Sequence, residues 1–142
     1  WDWNIKTNEM YFSSRWKTLI GFEENEIGAT LEEWFKRVHP DDITNLKSKF
    51  FSYLEGTAHR FESEYRLLHR DGTYRWMLTR GIAVRNIEGN AYRMAGSQAD
   101  ITSHKITEQM LEKLLHNVSH DSLTGLPNRS LFIERLERCI SY

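Results

Sequence analysis

The order of local patterns predicts an α+β fold: a five-stranded antiparallel sheet with helices packed on one face, followed by a C-terminal amphipathic helix. Three observations carry this. Two short strand-like runs open the chain, at 1–4 and 10–12, with Asn8-Glu9 at a turn between them. A middle from Ser13 to Glu55 is helical in character. Residues 60–102 then read as a three-strand meander, because Asp71-Gly72 between two β-rich runs suits a tight hairpin turn that needs positive φ.

Each element has its own signal. Trp16, Leu19 and Ile20 stand at helical spacing and Gly21 is a stop. Thr30 with Glu33 has the form of a capping box, opening a short helix that carries Trp34, Phe35 and Val38. His39-Pro40-Asp41-Asp42 opens a longer helix, with proline tolerated at the start and the acidic pair suited to the positive end of the helix dipole. Ile43, Leu46, Phe50, Phe51 and Leu54 then recur on one face, up to Gly56. A two-residue Asp71-Gly72 loop places Leu67 opposite Trp76, Tyr65 opposite Leu78 and Phe61 opposite Ile82 on one face of the sheet. Glu62, Glu64, Arg66, Leu68, Arg75, Met77 and Thr79 fall on the other. Glu88-Gly89-Asn90 makes the second turn, and the last strand, 91–99, passes directly into Asp100-Ile101-Thr102.

After Thr102 the pattern changes. Residues 103–120 hold no Gly or Pro, and Ile106, Met110, Leu111, Leu114, Leu115 and Val118 form one apolar stripe. A lone helix of this length is marginal in water, so it needs a surface. Leu111, Leu114 and Val118 fit an a/d spacing, which makes a second copy of the helix the leading candidate and the chain's own sheet the other. Thr124-Gly125-Leu126-Pro127 breaks the pattern, and Asn128 caps a last helix with Phe132, Ile133, Leu136 and Ile140 on one face.

Composition narrows the function. The chain has 142 residues and a formal net charge of −1, so it carries no basic footprint for nucleic acid and no polybasic membrane patch. Aromatic residues make up 13%, enough to build a real core. The single cysteine, Cys139, leaves no internal disulfide and fits a reducing, cytoplasmic setting. No run approaches the ~20 apolar residues of a membrane span. The start at Trp1 instead of Met reads as that of an excised piece, whose parent protein could still be membrane-anchored.

Two stretches resemble known families. From Trp1 to Thr102, the element order, the His39-Pro40-Asp41-Asp42 start, the Arg70-Asp71-Gly72-Thr73-Tyr74-Arg75-Trp76 turn and the Asp100-Ile101-Thr102 ending resemble a PAS sensor domain of the PAS/PAC type. Asp121 to Arg129, DSLTGLPNR, resembles the opening motif of GGDEF (diguanylate cyclase) domains, through Asp121, Leu123, Thr124, Gly125, Leu126, Asn128 and Arg129. The resemblance implies a sensor at 1–102, a signalling helix at 103–120 and the start of a cyclase domain at 121–142. It implies a parent that makes cyclic-di-GMP in a homodimer. The catalytic loop and metal carboxylates of that family lie beyond this sequence, so the fragment itself is expected to be non-catalytic, with no metal site.

A pocket lined by Trp16, Trp34, Phe35, Phe50, Tyr65 and Trp76 would hold a small molecule, although aromatic residues at such spacing more often form plain core. No cofactor is named by the residues. His39, beside Pro40 at a helix start, reads as structural and not as a haem ligand, and His59 offers no better case. Flavin–cysteine photochemistry needs a cysteine inside the sensor core, and Cys139 lies outside it. Ser119-His120-Asp121 could mark a histidine kinase phosphoacceptor, but the Gly125-Leu126-Pro127-Asn128 break five residues on suits a helical hairpin poorly. A ligand-free dimerisation module is the remaining alternative. Asp100, Ile101 and Thr102 read as a helix cap from the residues alone and, by the resemblance, as a signalling joint, with Arg75 the expected partner of Asp100.

Overall fold

The computed structural model describes residues 1–121 and 123–140, with the side chain of Ile140 also outside the description. The elements are β1 (Asp2–Asn4), β2 (Glu9–Tyr11), α1 (Ser14–Leu19), α2 (Leu31–Phe35), α3 (Pro40–Leu54), β3 (Phe61–Leu68), β4 (Tyr74–Arg85), β5 (Ala91–Asp100), α4 (Thr102–Ser119) and α5 (Arg129–Ile140). They form two compact units, Trp1–Thr102 and Ser103–Tyr142. In the first, five strands make one antiparallel sheet in the order β2-β1-β5-β4-β3, with the helices on its inner face.

Local chemistry explains the helix ends. Ser13 Oγ accepts from the Trp16 N–H at 3.1 Å and starts α1. His39 starts α3: its Nδ1 accepts from the Asp41 N–H at 3.1 Å, with Pro40 in the first turn. The capping box expected at Thr30 does not form, since its side chain makes no cap bond. The Glu33 carboxylate is instead taken by Lys36 at 2.5 Å and Arg37 at 2.8 Å. Val38 lies beyond α2 and pairs with Leu67 as an isolated bridge along the β3 edge.

The first hairpin differs from the two-residue expectation by one step. Gly72 N–H donates to His69 O at 3.0 Å, His69 N–H donates to Thr73 O at 2.8 Å, and Gly72 sits at φ 84°. The loop is therefore Arg70-Asp71-Gly72, a type I turn closed by a left-handed glycine. Asp71 Oδ1 locks it by accepting from the Thr73 N–H at 2.9 Å and hydroxyl at 2.6 Å. Leu67 pairs with Arg75, Arg66 with Trp76, Tyr65 with Met77 and Phe61 with Gly81. A one-residue step exchanges the faces of a strand. Met77 and Thr79 are thus buried inside, and Trp76, Leu78 and Ile82 face out.

Aromatic residues fill the inner face. Trp34 is fully buried against Trp1, Phe50 and Tyr65, with ring centroids 5.3, 5.9 and 6.1 Å away. Each large side chain so buried contributes about 1.5–3 kcal/mol relative to exposure. Trp1 lies over a cross-strand pair of glycines, Gly81 and Gly96. A Cβ on Gly81 would stand 2.7 Å from Trp1 Cη2, and one on Gly96 would strike Trp1 Cζ2 and the Arg80 carbonyl. The bare backbone makes room for the indole.

Candidate functional site

The β4–β5 ladder ends at the pair Met77–Asp100. It does not stop abruptly. Ile101 N–H donates to Trp76 O at 2.8 Å, and Trp76 N–H donates to Thr102 Oγ1 at 3.0 Å. Thr102 is also the first residue of α4. The backbone of Trp76 therefore holds both the last residue of the strand connection and the first residue of the helix. Asp100 Oδ1 accepts from the Thr102 N–H at 2.8 Å, satisfying one of the free donors of a helix start.

Arg75 goes elsewhere. Its Nη2 pairs with Asp71 at 2.9 Å, across the turn it follows. The register step explains this: Arg75 is paired with Leu67 and extends toward the loop whose left-handed glycine set the register. Hydrogen bonds from the Thr73 side chain and backbone, then the Arg75 guanidinium, hold the Asp71 carboxyl well below the usual range.

Of the six candidate pocket residues, Trp16, Trp34, Phe50 and Tyr65 are buried core, and Phe35 packs at its edge. Trp76 does not join them. It is on the outer face, where the Arg66 guanidinium lies 5.4 Å from its ring centroid. A polar relay crosses the core: Trp34 Nε1–H donates to Tyr65 Oη at 2.9 Å, and the Tyr65 hydroxyl donates to Gln98 Oε1 at 2.6 Å. Burial pushes the Tyr65 hydroxyl well above its ordinary pKa, so it stays a neutral donor. Trp1 Nε1–H donates to Thr79 Oγ1 at 3.2 Å, and Thr79 donates to Ser97 O at 3.2 Å. Gln98 has no place in the sequence-based expectation, and Thr79, expected on the outer face, is buried inside. The signal for Gln98 was present, since Met94, Gly96 and Gln98 alternate onto one face.

His39 has its Nδ1 engaged as the cap of α3, and His59 is exposed. Among the described residues, no group of three or more His, Cys, Asp or Glu gathers as a metal site would require.

In the second unit, the DSLTGLPNR segment forms a clasp between α4 and α5, apart from Ser122, which lies outside the described residues. Asp121 Oδ1 accepts from the N–H of Leu123 and Thr124, both at 2.9 Å, and from the Thr124 hydroxyl at 3.1 Å. These bonds lower the Asp121 pKa, the Thr124 backbone contributing most. Gly125 N–H donates to Asp121 O at 2.9 Å. Asn128 Oδ1 accepts from the Leu131 N–H at 3.1 Å and caps α5, while its Nδ2 donates to Val118 O and its N–H to Ser119 O at 2.8 Å. Leu123, Leu126 and Arg129 are exposed. His120 follows the last residue of α4, and its ring stacks on His116 at 4.2 Å.

Known proteins share this architecture. The family model described as PAS fold matches residues 9–98. The chain is 30% identical over 132 residues to the uncharacterized protein y4lL of Sinorhizobium fredii, covering 90% of this chain and 16% of that protein. The chain thus spans about a sixth of that relative's length. A sensory box histidine kinase/response regulator structure from Burkholderia thailandensis has 34% identity and a TM-score of 0.72, covering 83% of this chain and 87% of that one. The N-terminal domain of a diguanylate cyclase with PAS/PAC sensor from Marinobacter aquaeolei has 27% identity and a TM-score of 0.66, covering 74% and 95%. The sheet order, the helices on one face and the family match lead to one conclusion: this chain belongs to the PAS fold family.

Proposed function

We propose that residues 1–102 are the sensor of a diguanylate cyclase, that α4 is its signalling helix, and that Asp100-Ile101-Thr102 is the joint between them. The observation that carries the joint is the double hydrogen bonding of Trp76 to Ile101 and Thr102. A change in the sheet moves Trp76, and Trp76 holds Thr102, the first residue of the helix. A capping bond of the Asp100 type is worth about 1 kcal/mol. That is comparable with the bias separating two helix orientations, since ~1.4 kcal/mol is tenfold in a population.

Three further features support the output. The DSLTGLPNR segment resembles the cyclase opening motif. The stripe of Ile106, Met110, Leu111, Leu114, Leu115 and Val118 is 51–69% exposed, which suits a two-helix contact in a homodimer. Cyclic-di-GMP synthesis joins two GTP molecules, so dimer geometry is a direct point of control. Residues 1–142 lack the catalytic loop and make no product alone.

A histidine kinase output is the second reading, favoured by the similarity to the Burkholderia thailandensis protein. Against it, α4 ends at Ser119, immediately before His120. The test uses the full-length protein. Cyclic-di-GMP formed from GTP and magnesium, with no phosphoryl label on His120 from ATP, is the expected result. Labelling of His120 without cyclase activity overturns it. Asp100→Ala in the same protein should leave the sensor folded and abolish the response of the cyclase rate to its stimulus. Intact regulation in the folded variant refutes the joint.

A further inference from the structure

Between α1 and the far half of β5 lies a cleft of about 570 Å3, whose lining includes Trp1, Arg15, Trp16, Leu19, Gln98 and Asp100. Two of these residues carry buried N–H groups that the fold leaves without an acceptor: Trp16 Nε1 and Gln98 Nε2. Trp16 is 4% exposed, and its ring is fixed by stacking on Phe12 at 4.1 Å. The orientation of the Gln98 amide follows from the relay. Tyr65 accepts from the Trp34 indole N–H and donates its own proton to the Gln98 carbonyl Oε1 at 2.6 Å. The amide nitrogen is therefore the group left over. Unanswered buried donors are rare in folded proteins, and here two belong to side chains that line one cleft.

The lining also sets the charge of what would answer them. Arg15 adds a guanidinium, and Asp100 is the one carboxylate, with its Oδ1 already held by the Thr102 N–H. Donors and a cation favour a carboxylate group. Asp100 disfavours a second negative charge. Trp1, Trp16 and Leu19 offer apolar surface for the rest of the molecule.

We infer that this cleft binds a small monocarboxylate with an apolar body, its oxygens accepting from Trp16 Nε1–H and Gln98 Nε2–H. The site is independent of which output follows the sensor, so its test and the cyclase test fail separately. The experiment titrates the nitrogen-15-labelled 142-residue chain with butyrate and with benzoate, and follows the indole N–H signals by NMR. Trp16→Phe identifies the Trp16 signal and removes the donor while keeping a ring on Phe12. Gln98→Glu keeps an acceptor for Tyr65 and removes the amide donors. Saturable movement of the Trp16 and Trp1 indole signals by at least one carboxylate is expected, with affinity tenfold or more weaker in both variants, read on the Trp1 indole N–H where Trp16 is replaced. Butyramide and benzamide should bind at least tenfold more weakly than the matching acids. Ile82→Ala, on the opposite face of the sheet, should bind as the unaltered chain does. No saturable shift with either acid, equal affinity for the amides, or unchanged binding in folded Trp16→Phe overturns the proposal. Should Gln98→Glu fail to fold, Trp16→Phe decides alone.

Discussion

Trp76 and Thr102 meet where the sheet becomes a helix: the Trp76 N–H donates to Thr102 Oγ1 at 3.0 Å, while Trp76 O accepts from the Ile101 N–H. Thr102→Val keeps the shape and removes the acceptor. The expected loss of sensor stability is about 0.5–1.5 kcal/mol, the usual net worth of one hydrogen bond. In the full-length protein the basal output should persist and its response to stimulus should fall. Denaturant unfolding and paired output assays on one variant check both parts, and an unchanged response refutes the contact as a coupling element.

Tyr65 links two buried groups, Trp34 Nε1–H and Gln98 Oε1. Tyr65→Phe leaves a buried donor and a partly buried acceptor without partners. The predicted cost is about 1–3 kcal/mol. For a domain of this size that lowers Tm by about 4–8 °C per kcal/mol. A Tm within 2 °C of the unaltered chain would show that the relay contributes nothing.

Asp42 receives three bonds from one residue: Arg66 Nε and Nη2, each at 2.8 Å, and the Arg66 backbone N–H at 2.9 Å. The guanidinium beside it holds the Asp42 carboxyl below its usual range. A carboxyl with a lowered folded pKa contributes its stability above the unfolded value, about 3.9. That contribution is lost as pH falls through the folded value. Asp42→Asn should therefore cost about 1–2 kcal/mol at pH 7, at the low end for a charged bond because the Arg66 side chain is 29% exposed. The difference between the two proteins should shrink below pH 4. Urea midpoints at pH 7 and pH 3 check this, and a constant difference argues against the linkage.

Gly96 cannot accept a side chain. Its Cβ would strike the Arg80 carbonyl, which belongs to a paired strand and cannot move alone. Gly96→Ala should cost at least the upper end of the ~1–3 kcal/mol typical of overpacking. Its effect should exceed that of Gly89→Ala, where the added Cβ meets nothing within 4 Å and strain comes from φ 87° alone. Thermal unfolding of the two variants side by side measures the order.

The amino-acid sequence by itself determined the kinds of element, their order and most of the core that the helices carry. These depend on local periodicity and on end signals such as Ser13, His39-Pro40 and Asn128, each of which acts within a few residues of itself. Only the tertiary structure decided which face each strand residue occupies. The Asp71-Gly72 pair marked the turn correctly, but Asp71 closing on Thr73 makes the loop three residues long. Because side chains alternate with a period of two, that one residue moved Trp76 out and Met77 in. The same step turned Arg75 toward Asp71, leaving Asp100 to the Thr102 N–H. The seat of Trp1 on Gly81 and Gly96 was likewise beyond local reading. It depends on β5 pairing with both β1 and β4, and the β1 pairs join residues 89 to 93 apart along the chain.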